Sequence, residues 1–169
     1  MDLLNSKFEG KKAAVFDVET DNLYQDVTKV HCLVIIDPFT NEVWSYRPHE
    51  IKDGIEKLKS FDILIGHNII DYDLSVLTKL YGTDFTGMLV NDTLIGSRTY
   101  NPDRFGGHSL EAWGRRLKIY KGDFGKQDSA WDVFTEEMLL YCIQDVKVNV
   151  SLFHHLATEE LGGYFCVEY

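Results

Sequence analysis

A chain of 169 residues, 44% hydrophobic and 26% charged, has the composition of one ordinary globular domain with a real apolar core, which excludes a disordered or fibrous protein. No apolar run approaches the ~20 residues of a membrane span, and Met1 to Lys12 lacks the apolar stretch of a secretion signal, so a cytoplasmic protein without a membrane partner is expected. The net charge of −10 excludes the broad basic surface of an autonomous duplex binder.

Lys12 to Val18 reads as a buried strand, Lys29 to Asp37 as a nearly continuous apolar strand, and Glu42 to Tyr46 as a third. The turn residues Pro38-Phe-Thr-Asn41 predict a hairpin between the second and third. Ile51, Ile55 and Leu58 recur at helical spacing, and Phe61 to Gly66 is a short buried strand. Asp73 to Tyr81 carries a helix period, Met88 to Val90 a further strand, and Thr93 to Tyr100 a helix. Asn101 to Gly107 is loop chemistry, after which Ser109 caps a helix to about Leu117. Lys118 to Phe134 reads as a long polar loop, and Thr135 caps a long helix to about Glu160. The order predicts a single α/β domain, residues 1–169, built in layers. Cys32, Cys142 and Cys166 are odd in number and lack zinc spacing, so reduced, mostly buried thiols are expected.

Three acidic signatures stand along this frame. Asp17-Val-Glu19 ends the first strand, and strand alternation points both carboxylates to one side. Acid-x-acid also arises by chance in a chain with 27 acids, as Glu19-Thr-Asp21 and Asp71-Tyr-Asp73 show. Gly66-His-Asn68-Ile-Ile-Asp71-Tyr72-Asp73 leads from a strand into a helix, where either aspartate can be a ligand or a cap. Tyr141 and Asp145, four residues apart, share a helix face among apolar neighbours, so Asp145 needs a partner: a metal or a basic side chain. Carboxylates converging from distant segments suit hard divalent cations, and paired ions clamp a phosphodiester. Loaded with cations, such a cluster attracts phosphate despite the overall charge; delivery by another protein is the other route.

In order and spacing these residues resemble the DEDDy 3′–5′ exonucleases, specifically the proofreading domain of phage-type family A DNA polymerases, over about residues 12–157. Asp17 and Glu19 match the first motif, Asn68 with Tyr72-Asp73 the second, and Tyr141 with Asp145 the third. Leu140 stands where the histidine subtype has its histidine. Asp92-Thr93-Leu94, Gly107 to Gly114 and Lys121-Gly-Asp-Phe124 extend the likeness.

The resemblance implies a ribonuclease H-like three-layer fold with a mixed central sheet flanked by helices. It implies two Mg2+ or Mn2+ ions, with Asp17 bridging, Glu19 and Asp145 completing the shell of one, and Asp73 holding the second. Tyr141 would orient the attacking water, since an unperturbed phenol titrates near ~10. Asp71 is the alternative to Asp73. Thr20 and Leu23 match positions that touch the terminal nucleotide, and Asn68 the same strand. Phe105, His108 and Trp113 are aromatic candidates for substrate or packing, and Arg115, Arg116, Lys118 and Lys121 form a local basic cluster. The expected activity is hydrolysis of single-stranded or frayed DNA 3′ ends to nucleoside monophosphates. With no polymerase domain in the sequence, either a stand-alone exonuclease or one proofreading beside a separate DNA polymerase is expected. The alternatives are an exoribonuclease of the same fold and a silent binding or docking module.

Overall fold

Val30 to Ile36 is buried at every residue, as a strand covered by helices on both faces must be. The computed structural model describes residues 8, 10–120, 124, 130–160 and 166–169. Strands β1 (Ala13–Thr20), β2 (Val30–Ile36), β3 (Val43–Tyr46), β4 (Ile63–Gly66), β5 (Leu89–Asp92) and β6 (Val167–Glu168) form one mixed sheet in the order β3-β2-β1-β4-β5-β6. β1 runs antiparallel to β2 and parallel to β4; β4 and β5 are parallel. The helices are α1 (Ile51–Lys59), α2 (Asp73–Tyr81), α3 (Thr93–Tyr100), α4 (Leu110–Leu117) and α5 (Glu136–His155).

Strand parity divides the core in two. Ala14, Phe16 and Val18 of β1 pack with Ile51, Ile55 and Leu58 of α1 and with Leu74 and Leu77 of α2. Ala13 and Val15 face the other way, with Cys32 and Val34, onto Met138, Cys142, Val146, Val150 and Phe153 of α5. α4 lies on the outer side of α5, where Trp113 meets Leu152 and Leu156. The arrangement is helix, sheet, helix, as expected.

Both capping expectations hold: Ser109 Oγ accepts from Ala112 N (3.1 Å) and Thr135 Oγ1 from Met138 N (3.1 Å). The Pro38–Asn41 turn joins antiparallel β2 and β3, with Asp37 Oδ1 accepting from Phe39 N (2.8 Å) and Thr40 N (3.0 Å), and Asn41 at φ 60°. Several boundaries differ. β1 runs on through Thr20, two residues past the expected end at Val18, so Glu19 as well as Asp17 lies within the strand. α5 ends at His155 and gives way to a π turn over Leu156–Glu160. Val167 and Glu168, for which no strand is expected from the sequence, add β6 antiparallel to β5, where the open edge of β5 offers unpaired backbone groups. No helix of the described residues is long and apolar enough to cross a membrane.

Candidate active site

The alternation that buries Ala13 and Val15 beneath α5 carries Asp17 and Glu19 to the same face. The pairing with β2 shifts register between Glu19, opposite Cys32, and Thr20, opposite Val30. One carboxylate oxygen from each of Asp17 and Glu19 and the sulfur of Cys142 all lie within 4.8 Å of one another. Cys142 Sγ donates to the Asp17 carbonyl and to Asp17 Oδ2, each at 3.7 Å, which fastens α5 to β1 at this point. Burial, the hydrogen bond with Cys32 and the nearby Asp17 charge raise the Cys142 thiol well above its ordinary range. It stays protonated and serves Asp17 as a donor.

Asp73 comes from the head of α2 and is only 3% exposed. It does not cap that helix through its side chain; Tyr72 occupies the cap position without a side-chain bond. Instead Asp73 Oδ1 accepts from the Val18 backbone N–H of β1 (3.0 Å), between Asp17 and Glu19 in sequence. Burial first, and the Asp17 charge second, push Asp73 well above the carboxylate range, against the lowering effect of the Val18 amide. Asp71, the alternative, is exposed. Asp145 is 5% exposed on α5, three residues beyond Cys142 and one turn beyond Tyr141. Tyr141 is half-buried, its ring 5.6 Å from Phe124 and 6.1 Å from Trp131.

Crowded carboxylates whose ionisation is resisted by burial and by each other are the donor chemistry a hard divalent cation neutralises. Asp17, Glu19 and Asp73 offer only oxygens, and the adjoining thiol is occupied as a donor, so the residues present fit such an ion.

Beside the carboxylates opens a cleft of ≈ 440 Å³ lined by Glu19, Thr20, Asn22, Leu23, Tyr72 and Trp131, among others. Leu23 is 80% exposed at its lip. Tyr72 Oη hydrogen-bonds Thr20 Oγ1 and donates to the Asn22 carbonyl (2.6 Å), closing the floor. Asp21, part of a chance acid-x-acid pair, is a clamp: it accepts from the amides of Thr28 (3.0 Å) and Lys29 (3.2 Å) and from the Thr28 hydroxyl. Partial burial raises its carboxyl, but those donors prevail and hold it at about 2.

Thr20 and Leu23 thus line the cleft, whereas Asn68, Phe105 and His108 are not among its lining residues. Asn68 sits at φ 68°, its amide donating to Asp92 Oδ1 (3.0 Å). His108 uses one ring nitrogen on Ser97 Oγ (2.8 Å) and the other on the Pro102 carbonyl (3.2 Å), knotting the loop before α4. Phe105 is 97% exposed on that loop, whose backbone is held by Arg116 donating to the carbonyls of Phe105 and Gly107. Trp113 is packing, 1% exposed and bonded through Nε1 to Ser97 Oγ (3.0 Å). Arg115 pairs with Glu111, and Lys118 closes α4 in the left-handed conformation, so the basic cluster is largely structural; Lys121 lies outside the described residues.

The site role of Trp131 escaped the sequence reading, and Asp92 and Thr93, noted there only as part of the likeness, acquire roles in the structure. Trp131 walls the cleft although its segment read as polar loop. Asp92, 1% exposed, is the staple of the second motif: Oδ1 accepts from Asn68 N (3.0 Å), Leu94 N (3.0 Å) and Ile95 N (3.3 Å), and Oδ2 from Ile70 N (3.2 Å). Thr93 Oγ1 lies 2.8 Å from Asn149 Oδ1 of α5 and 3.1 Å from the Gly66 carbonyl, joining the same loop to the helix of Asp145. The signal for Asp92 was its place as a cap ahead of α3. Gly66 belongs to this joint too: a Cβ there would lie 2.0 Å from Ile69 Cγ2. Replacing Asp92 by alanine strips four partly buried amides of an acceptor and is expected to cost roughly 3 kcal/mol, read by urea unfolding. A loss below about 1 kcal/mol would show that water replaces the staple.

A family model described as 3′–5′ exonuclease matches residues 1–160. The DNA-directed DNA polymerase of Enterobacteria phage T3 is 34% identical over 188 aligned positions, covering 86% of this chain and 27% of the polymerase. That of Escherichia phage T7 is 32% identical with the same coverage. The chain therefore spans about a quarter of the curated relatives it matches. Among solved structures, the catalytic core of RRP6 from Trypanosoma brucei superposes with TM-score 0.66 at 16% identity, over 90% of this chain and 42% of that one. Brucella melitensis NrnC with bound Mg2+ superposes with TM-score 0.62 at 24% identity, over 93% and 77%. At these identities the two structures speak to the fold, which they share.

Proposed function

This chain belongs to the 3′–5′ exonuclease family, and from that premise we propose that it hydrolyses single-stranded or frayed DNA 3′ ends to nucleoside monophosphates, in the cytoplasm, with divalent cations. The observation that carries the reading is the approach of the Asp17 and Glu19 oxygens within 4.8 Å, with Asp73 bonded to the amide between them, at the mouth of the cleft. DNA is preferred over RNA because the relatives above 30% identity are DNA polymerases. A DNA polymerase acting in trans is the proposed partner, and Mg2+ or Mn2+ the proposed ion, two per site.

In this reading Asp17, Glu19, Asp73 and Asp145 would hold the divalent ions through their carboxylate oxygens. Bound divalent ions supply neutralisation of phosphate charge and a water of lowered pKa. The chain's own residues do the rest. Cys142 fixes the Asp17 carboxylate by its S–H bond, and the Val18 amide fixes Asp73. Tyr141, held between Phe124 and Trp131, orients the attacking water rather than deprotonating it. Thr20 and Leu23 receive the terminal nucleotide at the floor and lip of the cleft.

The test is degradation of matched DNA and RNA oligonucleotides labelled at the 5′ end, with Mg2+ or Mn2+. A ladder shortening from the 3′ end of DNA, absent in EDTA, is the expected result. Laddering of RNA alone would move the substrate to RNA; no cleavage of either would leave a binding module.

A further inference from the structure

The wall of the cleft facing Leu23 is built with more care than a loop requires. The Trp131 carbonyl lies 2.8 Å from Nε2 of His31, a residue of β2 that is 2% exposed. The next carbonyl, of Asp132, accepts from Lys29 Nζ (2.9 Å). Two side chains at the head of β2 thus strap this segment down beside the carboxylates. The Trp131 ring is only half-buried, so the strap presents an indole to the opening.

Behind it stands an aromatic trio. Trp131 and Phe124 meet edge to face at 5.2 Å, Phe124 and Tyr141 at 5.6 Å, and Trp131 and Tyr141 edge to face at 6.1 Å. All three separations fall in the range where aromatic pairs attract. Each ring touches the other two, so displacement of one is felt by both. Across the cleft Leu23 offers an apolar surface. On its floor the hydroxyls of Thr20 and Tyr72 are engaged with each other and with the Asn22 carbonyl. Between Leu23 and Trp131 an unpaired base can be held by its faces, while the acidic lining residues Glu19, Asp21 and Asp132 offer no hydrogen-bond donor through their carboxylates to read its edge.

Resting on the exonuclease reading above, we propose that Trp131 stacks the terminal nucleobase of a single-stranded 3′ end, and that its contact with Tyr141 makes hydrolysis depend on that base being seated. The stack gives an unpaired base a place between Trp131 and Leu23, whereas a paired terminal base is held to its partner strand and to the neighbouring pair and must leave both to enter. Seating the base against the indole steadies the trio, and with it the phenol proposed to aim the water.

The experiment uses the full chain and a single-stranded oligonucleotide carrying fluorescent aminopurine as its 3′-terminal base or at an internal position far from that end. In EDTA, binding should quench the terminal probe several-fold and leave the internal one bright. Trp131→Ala should abolish the terminal quench, raise KM about tenfold and lower kcat about tenfold, whereas Trp131→Phe should keep each within about threefold. Trp131→Leu, which keeps bulk without a ring, should behave as the alanine variant does, provided thermal unfolding shows both folded. Quenching undiminished in Trp131→Ala and Trp131→Leu would overturn the stack. A rise in KM with kcat unchanged would overturn the link to Tyr141. Quenching by a wild-type protein that cleaves nothing would sink the nuclease reading and leave the stack standing.

Discussion

Asp17→Ala is expected to slow release of nucleotides by about three orders of magnitude or more, because it removes a carboxylate from the pair that would hold the divalent ions. The variant should nevertheless fold. Asp17 lies on a strand whose neighbours Phe16 and Val18 are buried, and truncation removes a carboxylate that opposes ionisation of Asp73. The decisive readout is therefore thermal unfolding with and without Mn2+. At an ion concentration ~100 times its Kd, binding adds about 2.7 kcal/mol to the wild type. For a chain of this size that is a rise of roughly 5–10 °C in Tm. Asp17→Ala should show almost none. An undiminished Mn2+ shift in the variant, with turnover intact, would remove Asp17 from the site and favour a binding module.

Asp73→Asn should separate stability from activity in opposite directions. Asparagine keeps an oxygen to accept from the Val18 amide but carries no charge into a site that is only 3% exposed. Turnover should fall about 100-fold or more, for loss of a proposed ligand. Metal-free stability at neutral pH should rise. The folded pKa of Asp73 lies well above its ordinary value of 3.8, so the folded state binds this proton more tightly than the unfolded chain does. Its contribution is fully present below 3.8 and is lost as pH rises through the folded pKa. The wild type without metal should lose Tm across that window, and the asparagine variant should show a flatter profile. Equal slopes in the two proteins would mean that Asp73 is ionised and solvated, contrary to its burial.

The two variants probe residues that were legible to different degrees. Asp17 and Glu19 could be read as a pair because strand parity is a local property, and the parity that buries Val15 also aims them. Tyr141 and Asp145 were legible for the same reason, through helical spacing on α5. Asp73 was legible only together with Asp71. Both stand at the same helix start, and no local rule separates them. What separates them is the approach of β1, whose Val18 amide reaches Asp73 while Asp71 faces solvent. His108 shows the converse. Its type and position suggested substrate contact, but Ser97 and Pro102, brought near by the turn, take both of its nitrogens.

By itself, then, the sequence determined the helices and the first five strands to within a few residues, the caps at Ser109 and Thr135, and which carboxylates share a face, because period and capping act over a few residues. Only the tertiary structure decided which aspartate is buried, that Asp92 staples the loop leading to it, and that Trp131 rather than Phe105 walls the cleft. Those outcomes turn on partners far apart in the chain, such as His31 with Trp131 and Val18 with Asp73, and folding alone brings them within hydrogen-bonding distance.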